Sequence, residues 1–308
     1  MISVKLKQLP TLVVWMYAVL GTTGVLAAPI ASANPAAINT AESLRQPEHV
    51  VLVIEENKSY STIIGNQDAP YINSLAKNGM LFTNAHSVMH PSLPNYVALF
   101  SGSTHGLADD SCPHDFSGPN LASRLLAKKL SFAIYSEDLP ETGFSGCSGS
   151  GGLYRRKHNP VVNWQSAGLP ASLNRAFRDF PQDYSRLPSV VFVVPNMLND
   201  MHDGTIAQGD AWLKANLDRY AVWASTHNSL LIIIWDESDA NSISNQIPLI
   251  VVGAGVEPGR NVQYLDHFGV LRSIQDLFGL EPLGQSATAT PVRFQSTRAA
   301  GRAPQSSN

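Results

Sequence analysis

The amino-acid sequence predicts an α/β fold with a mostly parallel central sheet and helices on both faces. Two observations lead there. Six short runs rich in valine and isoleucine are apolar at nearly every position, the pattern of strands buried on both sides. Between several of them lie segments whose apolar residues recur at helical spacing, and such alternation marks parallel crossovers.

The elements follow in chain order. The first strand is HVVLVIEE, His49 to Glu56. Asp68 is the expected N-cap of a helix in APYINSLAKNG that stops at Gly79. MLFTNAHS is the next strand. SLPNYVALFSG, Ser92 to Gly102, reads as a turn and a short helix with Pro94 at its first helical position, where a missing N–H costs nothing. SFAIYSE and SVVFVVP are the third and fourth strands. In GDAWLKANLDRYAVWAS, the residues Leu213, Leu217, Tyr220, Ala221 and Ala224 share one helical face. SLLIIIWDE and IPLIVVG complete the strands. A last helix in DHFGVLRSIQDLFGL aligns Val270, Leu271, Ile274, Leu277 and Phe278. No internal repeat is visible.

The chain of 308 residues, 44% hydrophobic and 15% charged, can bury one substantial core. Residues 1–33 read as a signal peptide: Lys5 and Lys7 precede a long apolar run that ends in small residues and an A-x-A site before Asn34. The run is also long enough to span a bilayer; Gly21, Gly24 and the cleavage site favour removal, and so no stable membrane anchor after cleavage. Residues 34–47 form a flexible lead-in, 48–284 the folded domain and 285–308 a polar, disordered tail. The expected destination is secreted or periplasmic. There the even pair Cys112 and Cys147 favours a disulfide, and neither has metal-ligand spacing. A formal charge of -3 with no basic block excludes nucleic acid as an expected partner.

In parallel sheets ligands bind beyond the carboxyl ends of the strands. Two such ends are acidic: Glu55, Glu56 and Asn57 after the first strand, then Asp236, Glu237 and Asp239 after the sixth run's predecessor in IIIWDESD. Either they are solvated turn caps, or Glu56, Asn57, Asp236 and Glu237 converge and hold a hard cation. Ser92 is either a helix cap or a hydroxyl presented with free amides at a positive helix end, a seat for phosphate. The segment NMLNDMHDG supplies Asn196, Asn199, Asp200, His202 and Asp203 after another strand. His202 and His267 are the histidines singled out, while His90, His105 and His114 lie near the serine segment or the cysteines. His49, His86, His158 and His227 have no evident chemical neighbours. Asn57-Lys58-Ser59 also fits a short glycosylation pattern.

In order along the chain, EENKSY, HPSLPNYVALFSG, NDMHDG, WDESD, IPLIVVG and YLDHFGVLRSIQDLFGL resemble the secreted phosphoesterases of the acid phosphatase and non-haemolytic phospholipase C type, within the alkaline-phosphatase-like superfamily. The resemblance spans residues 48–283. It implies an alkaline-phosphatase-like fold, Ser92 as nucleophile, and one divalent metal ion on Glu56, Asn57, Asp236 and Glu237. It further implies His267 or His202 as the proton donor to the leaving alcohol, with Asn95 and helix-start amides holding phosphoryl oxygens. Longer phospholipase-like members follow the Asp-Glu pair with histidine and glycines, where this chain has Ser238, Asp239 and Ala240. That departure and the short chain point to a small phosphate monoester as substrate. The alternatives are a phospholipase C-like phosphodiesterase and a secreted protein that binds metal and phosphate without turnover.

Overall fold

The computed structural model describes residues 46–292 apart from 240, 241 and 243; the expected signal peptide, nearly all of the lead-in and the tail from 293 lie outside the described residues. The elements are β1 (His49–Glu55), α1 (Tyr60–Ile63), α2 (Pro70–Asn78), β2 (Met80–His86), α3 (Ser92–Ser101), α4 (Leu121–Ala127) and β3 (Phe132–Ser136). After a stretch of short 3-10 turns come β4 (Asn174–Ala176), β5 (Val190–Val194), α5 (Ile206–Ala224), β6 (Ser229–Trp235), β7 (Gln246–Gly253), β8 (Gly259–Asn261) and α6 (His267–Leu277).

The strands form one sheet in the order β4-β3-β5-β1-β6-β7-β2-β8. All pairings are parallel except those of β7, which runs antiparallel to both β6 and β2. The fold is therefore α/β with a mostly parallel, mixed sheet, as the apolar runs suggest. The reversed β7 is the exception, and a connection as short as the one after β6 admits it because an antiparallel neighbour needs no helical crossover. All seven residues of β1 and all seven of β6 are buried, which explains their unbroken apolar character. Helices α2 and α5 pack together against the β6-β7-β2 part of the sheet, whereas α3 gathers α4 and α6. No helix among the described residues is long and apolar enough to cross a membrane.

Three local expectations are corrected. The N-cap of α2 is Ala69, not Asp68, because Pro70 takes the first helical position; Asp210 on α5 supplies the missing acceptors, binding the Tyr71 and Ile72 amides at 3.1 and 2.8 Å. Helix α3 begins at Ser92, two residues before Pro94. Packing also continues past residue 284: Gly284–Ala287 form a 3-10 turn and Val292 is buried, its amide bound to Ser273 Oγ at 2.6 Å. Cys112 and Cys147 are joined in a disulfide, with Cα atoms 5.9 Å apart.

Candidate active site

Strands β1 and β6 are neighbours in register, Glu55 opposite Trp235, so the residues that follow them are neighbours too. The chain turns sharply at Asn57, whose φ of 50 lies in the left-handed region that asparagine tolerates. Its amide reaches Asp236 Oδ1 at 3.2 Å, and the Glu237 amide binds the same oxygen at 2.6 Å. Two acidic strand ends are thereby locked into one wall.

Ser92 stands against that wall. It is 1% exposed, and its hydroxyl donates to Glu56 Oε2 at 3.0 Å and to Glu237 Oε1 at 3.3 Å. The turn that delivers it is closed by Asn95: Nδ2 donates to the Met89 and Pro91 carbonyls at 2.8 and 3.0 Å, and Oδ1 accepts the Met89 amide at 3.1 Å. Asn95 has no exposed surface, and its amide is bonded within this turn, so it holds the segment that delivers Ser92. The helix start also offers fewer amides than expected. Pro94 has none, and the Leu93 amide is taken by Asp110 Oδ1 at 2.9 Å, a carboxylate suited to the positive end of α3.

Three further groups complete the wall. The Tyr96 hydroxyl donates to Glu56 Oε1, and His90 Nδ1 lies against Glu237 Oε2. His158, arriving on a 3-10 turn, stacks on Tyr96 with ring centroids 5.1 Å apart, and places Nε2 3.1 Å from Glu56 Oε1 and Nδ1 3.5 Å from Asp200 Oδ2. Sequence reasoning passed over His158 and left His90 unselected. For His158 no signal existed, since it follows no strand and lies 102 positions from Glu56, as the numbering shows. For His90 the signal was its place two residues before Ser92.

His202 sits at the rim, its Nδ1 2.7 Å from Asp203 Oδ1, its Nε2 3.3 Å from Lys157 Nζ, and its ring 6.0 Å from that of His158. His267 lies apart. It has no exposed surface, the Trp235 backbone bears on its ring, and it makes none of the contacts that tie the others to Ser92.

Burial of so many acids sets the electrostatics. Burial and the charges of Asp236 and Asp200 hold Glu56 well above the usual carboxylate range. Burial and Glu237 push Asp236 up to about 8, and burial pushes Glu237 up to about 7. Burial lowers His158 well below the ordinary imidazole value, with Lys157, His202 and Arg155 adding to it. Burial also lowers His202, against the pull of Asp203.

The oxygen-rich wall fits a hard or borderline cation. The amide end of Asn57 that faces inward lies 2.9 Å from Glu237 Oε1 and 3.3 Å from Glu56 Oε2, and Asp236 Oδ2 is buried with no hydrogen-bond partner. With nitrogen inward Asn57 donates to both acids; with oxygen inward, the converging acceptors need a positive ion or a proton on one of the acids. A second group, Glu56, His158 and Asp200, offers one ligand atom each within 4.8 Å of one another, all buried, and could bind a metal. It shares only Glu56 with the set read from the sequence.

The family described as Phosphoesterase matches residues 65–281. The chain is 45% identical over 284 residues to a phosphatidylinositol-3-phosphatase of Mycobacterium tuberculosis, covering 90% of this chain and 93% of that one. It is 31% identical to the phosphate-repressible acid phosphatase of Penicillium chrysogenum over 70% of its own length, and spans 55% of that longer protein. Its fold is similar to a solved alkaline phosphatase superfamily protein from Vibrio parahaemolyticus, with a TM-score of 0.56 at 12% identity over 82% of this chain and 72% of that one. The chain belongs to the Phosphoesterase family and is a hydrolase of phosphoric esters.

Proposed function

We propose that this protein is a metal-dependent phosphatase acting outside the cytoplasm, which hydrolyses phosphate monoesters through a phosphoserine on Ser92. One observation carries the reading: a buried hydroxyl at the start of α3 is held between carboxylates from the ends of β1 and β6. A structural cap would bond its own helix; this hydroxyl faces two acids instead. The relatives' names, phosphatases in both cases, favour monoesters over diesters. The Cys112–Cys147 disulfide fits an oxidising compartment.

Glu56, Asn57, Asp236 and Glu237 would hold one divalent cation. Bound there, it lowers the pKa of the serine hydroxyl and offsets the charge of phosphate oxygens. The residues do the rest. Ser92 Oγ attacks phosphorus and its proton passes to the carboxylate it already faces, Glu56 or Glu237. The bond from phosphorus to the ester oxygen breaks on the opposite side, and that oxygen takes a proton from His202. His90 is tied to Glu237 on the side of the nucleophile, which leaves His202 as the imidazole for the departing alcohol. Water then attacks the phosphoserine and gives one proton to His202, keeping the other on the new phosphate oxygen; the bond from phosphorus to Ser92 Oγ breaks as the carboxylate returns its proton to that oxygen, and hydrogen phosphate leaves. A donor whose pKa is lowered by burial is charged only on the acid side, in keeping with acid phosphatase relatives.

The test is turnover of p-nitrophenyl phosphate with acid-quench trapping of labelled phosphoenzyme. Ser92→Ala is expected to lose about 10⁴-fold or more in kcat and all covalent label while melting as wild type does. A folded Ser92→Ala protein with wild-type turnover would remove the serine from the mechanism.

A further inference from the structure

We propose that Lys157 is the residue that selects phosphate monoesters over diesters, donating a hydrogen bond to the phosphoryl oxygen that is charged in a monoester and esterified in a diester. This rests on the phosphatase reading above and adds the determinant of its substrate class.

The ammonium group is held at the site from two sides. Lys157 Nζ donates to Asp110 Oδ2 at 2.8 Å, and the other oxygen of Asp110 binds the amide of Leu93, the residue after the serine. A single carboxylate therefore links the ammonium to the turn that carries Ser92. On its other side Nζ lies 3.3 Å from His202 Nε2. The Lys157 side chain is only 16% exposed, so the stem is packed and the head cannot swing freely into solvent. Asp110 takes one of its three protons, and His202 Nε2 can take another only while that ring is neutral, so at least one remains for a ligand.

Charge balance gives this placement its consequence. Glu56, Asp200, Asp236 and Glu237 are all buried around the serine. A monoester dianion entering beside them meets more negative charge than one divalent cation offsets, whereas a diester brings one charge less. Lys157 acts electrostatically on Glu56, Asp236, Asp200 and Glu237 alike, which places its charge over the same space. Of its basic neighbours, Lys58 also acts on Glu56, Asp236 and Asp200, but from the Met201 side and not through the Asp110 link to the serine turn. Lys58 donates to the Met201 carbonyl at 2.7 Å, and Arg156 binds Asn163 and the carbonyls of Ser145 and His114. The disulfide fixes both halves of the device. Cys112 lies two residues from Asp110, and the Cys147 carbonyl accepts the Arg156 amide at 3.0 Å, one residue before Lys157.

The experiment compares Lys157→Met and Lys157→Arg with wild type on p-nitrophenyl phosphate and bis(p-nitrophenyl) phosphate, with bound metal and melting temperature measured for each. Lys157→Met is expected to lower kcat/KM about 100-fold on the monoester and less than about threefold on the diester, with metal content unchanged. Lys157→Arg restores most of the monoester rate, since it keeps the charge. Inhibition by inorganic phosphate and by dimethyl phosphate repeats the comparison without turnover, and only the former should weaken, by about tenfold or more. Equal losses on both esters, or none on the monoester, overturn the inference. A wild type inactive on both esters overturns the phosphatase reading itself and this inference with it.

Discussion

His267 shows how far one buried imidazole can shape the behaviour of the molecule. Burial pushes its pKa down to about 4, although the Trp235 backbone favours the protonated ring. The unfolded chain takes up a proton near the ordinary value of 6.5 while the folded one refuses it until about pH 4. Stability from this group is therefore whole above about pH 6.5 and drains away as pH falls toward 4, by about 3 kcal/mol. In His267→Phe that dependence should vanish. Denaturant unfolding at several pH values gives the comparison, and parallel curves for variant and wild type would show that His267 does not titrate in this way. Asn95 bears on the local fold: its three bonds hold the turn from Met89 to Pro91, which leads into Ser92.

At the scale of the element, α3 is the piece on which the site depends. All ten of its residues are buried, so it is a core helix whose first residue carries the hydroxyl proposed as nucleophile. Its far end is pinned as firmly as its start. Gly102 closes the helix with φ 75, donating to the Ala98 carbonyl, and its own carbonyl accepts the Gln285 amide at 2.8 Å. A Cβ added there would lie 1.9 Å from the Leu283 carbonyl oxygen. Gly102→Ala combines left-handed strain with a backbone clash and should cost about 3 kcal/mol. The loss would appear as a lower denaturation midpoint; a midpoint equal to wild type would mean that the C-terminal segment yields without cost. This contact also explains why folding extends past residue 284.

For the whole molecule, a large electrostatic cost is gathering acids from three separate segments into one buried wall. Asp236 and Glu237 have folded pKa values of about 8 and 7, far above those of the unfolded chain. Without a cation, rising pH ionises these acids in the unfolded chain first, so folded stability falls between about pH 4 and 8. A divalent cation reverses the sign by replacing protons at the carboxylates. The rise in melting temperature on adding metal to chelated protein is thus expected to grow from pH 5 to pH 8. A stabilisation that shrinks over that range would place the cation away from these acids.

The strands, the main helices and the acidic strand ends were legible because each is a local pattern. Unbroken valine and isoleucine runs have one burial that suits them, and Glu56, Asn57, Asp236 and Glu237 stand directly after two of these runs. Ser92 was legible from its turn. The contribution of His158 was not, nor that of Asp110 and Lys157, because each sits on an irregular segment that the disulfide and 3-10 turns bring across the serine from a distance in sequence. Neither was the reversed direction of β7, since apolar composition is the same for either direction of a buried strand. The sequence by itself determined which segments must be buried and which polar groups end them, as burial is a property of local composition. Only the tertiary structure decided which of those groups share one space and which, like His267, lie apart from it, because that choice depends on contacts between segments far apart in the chain.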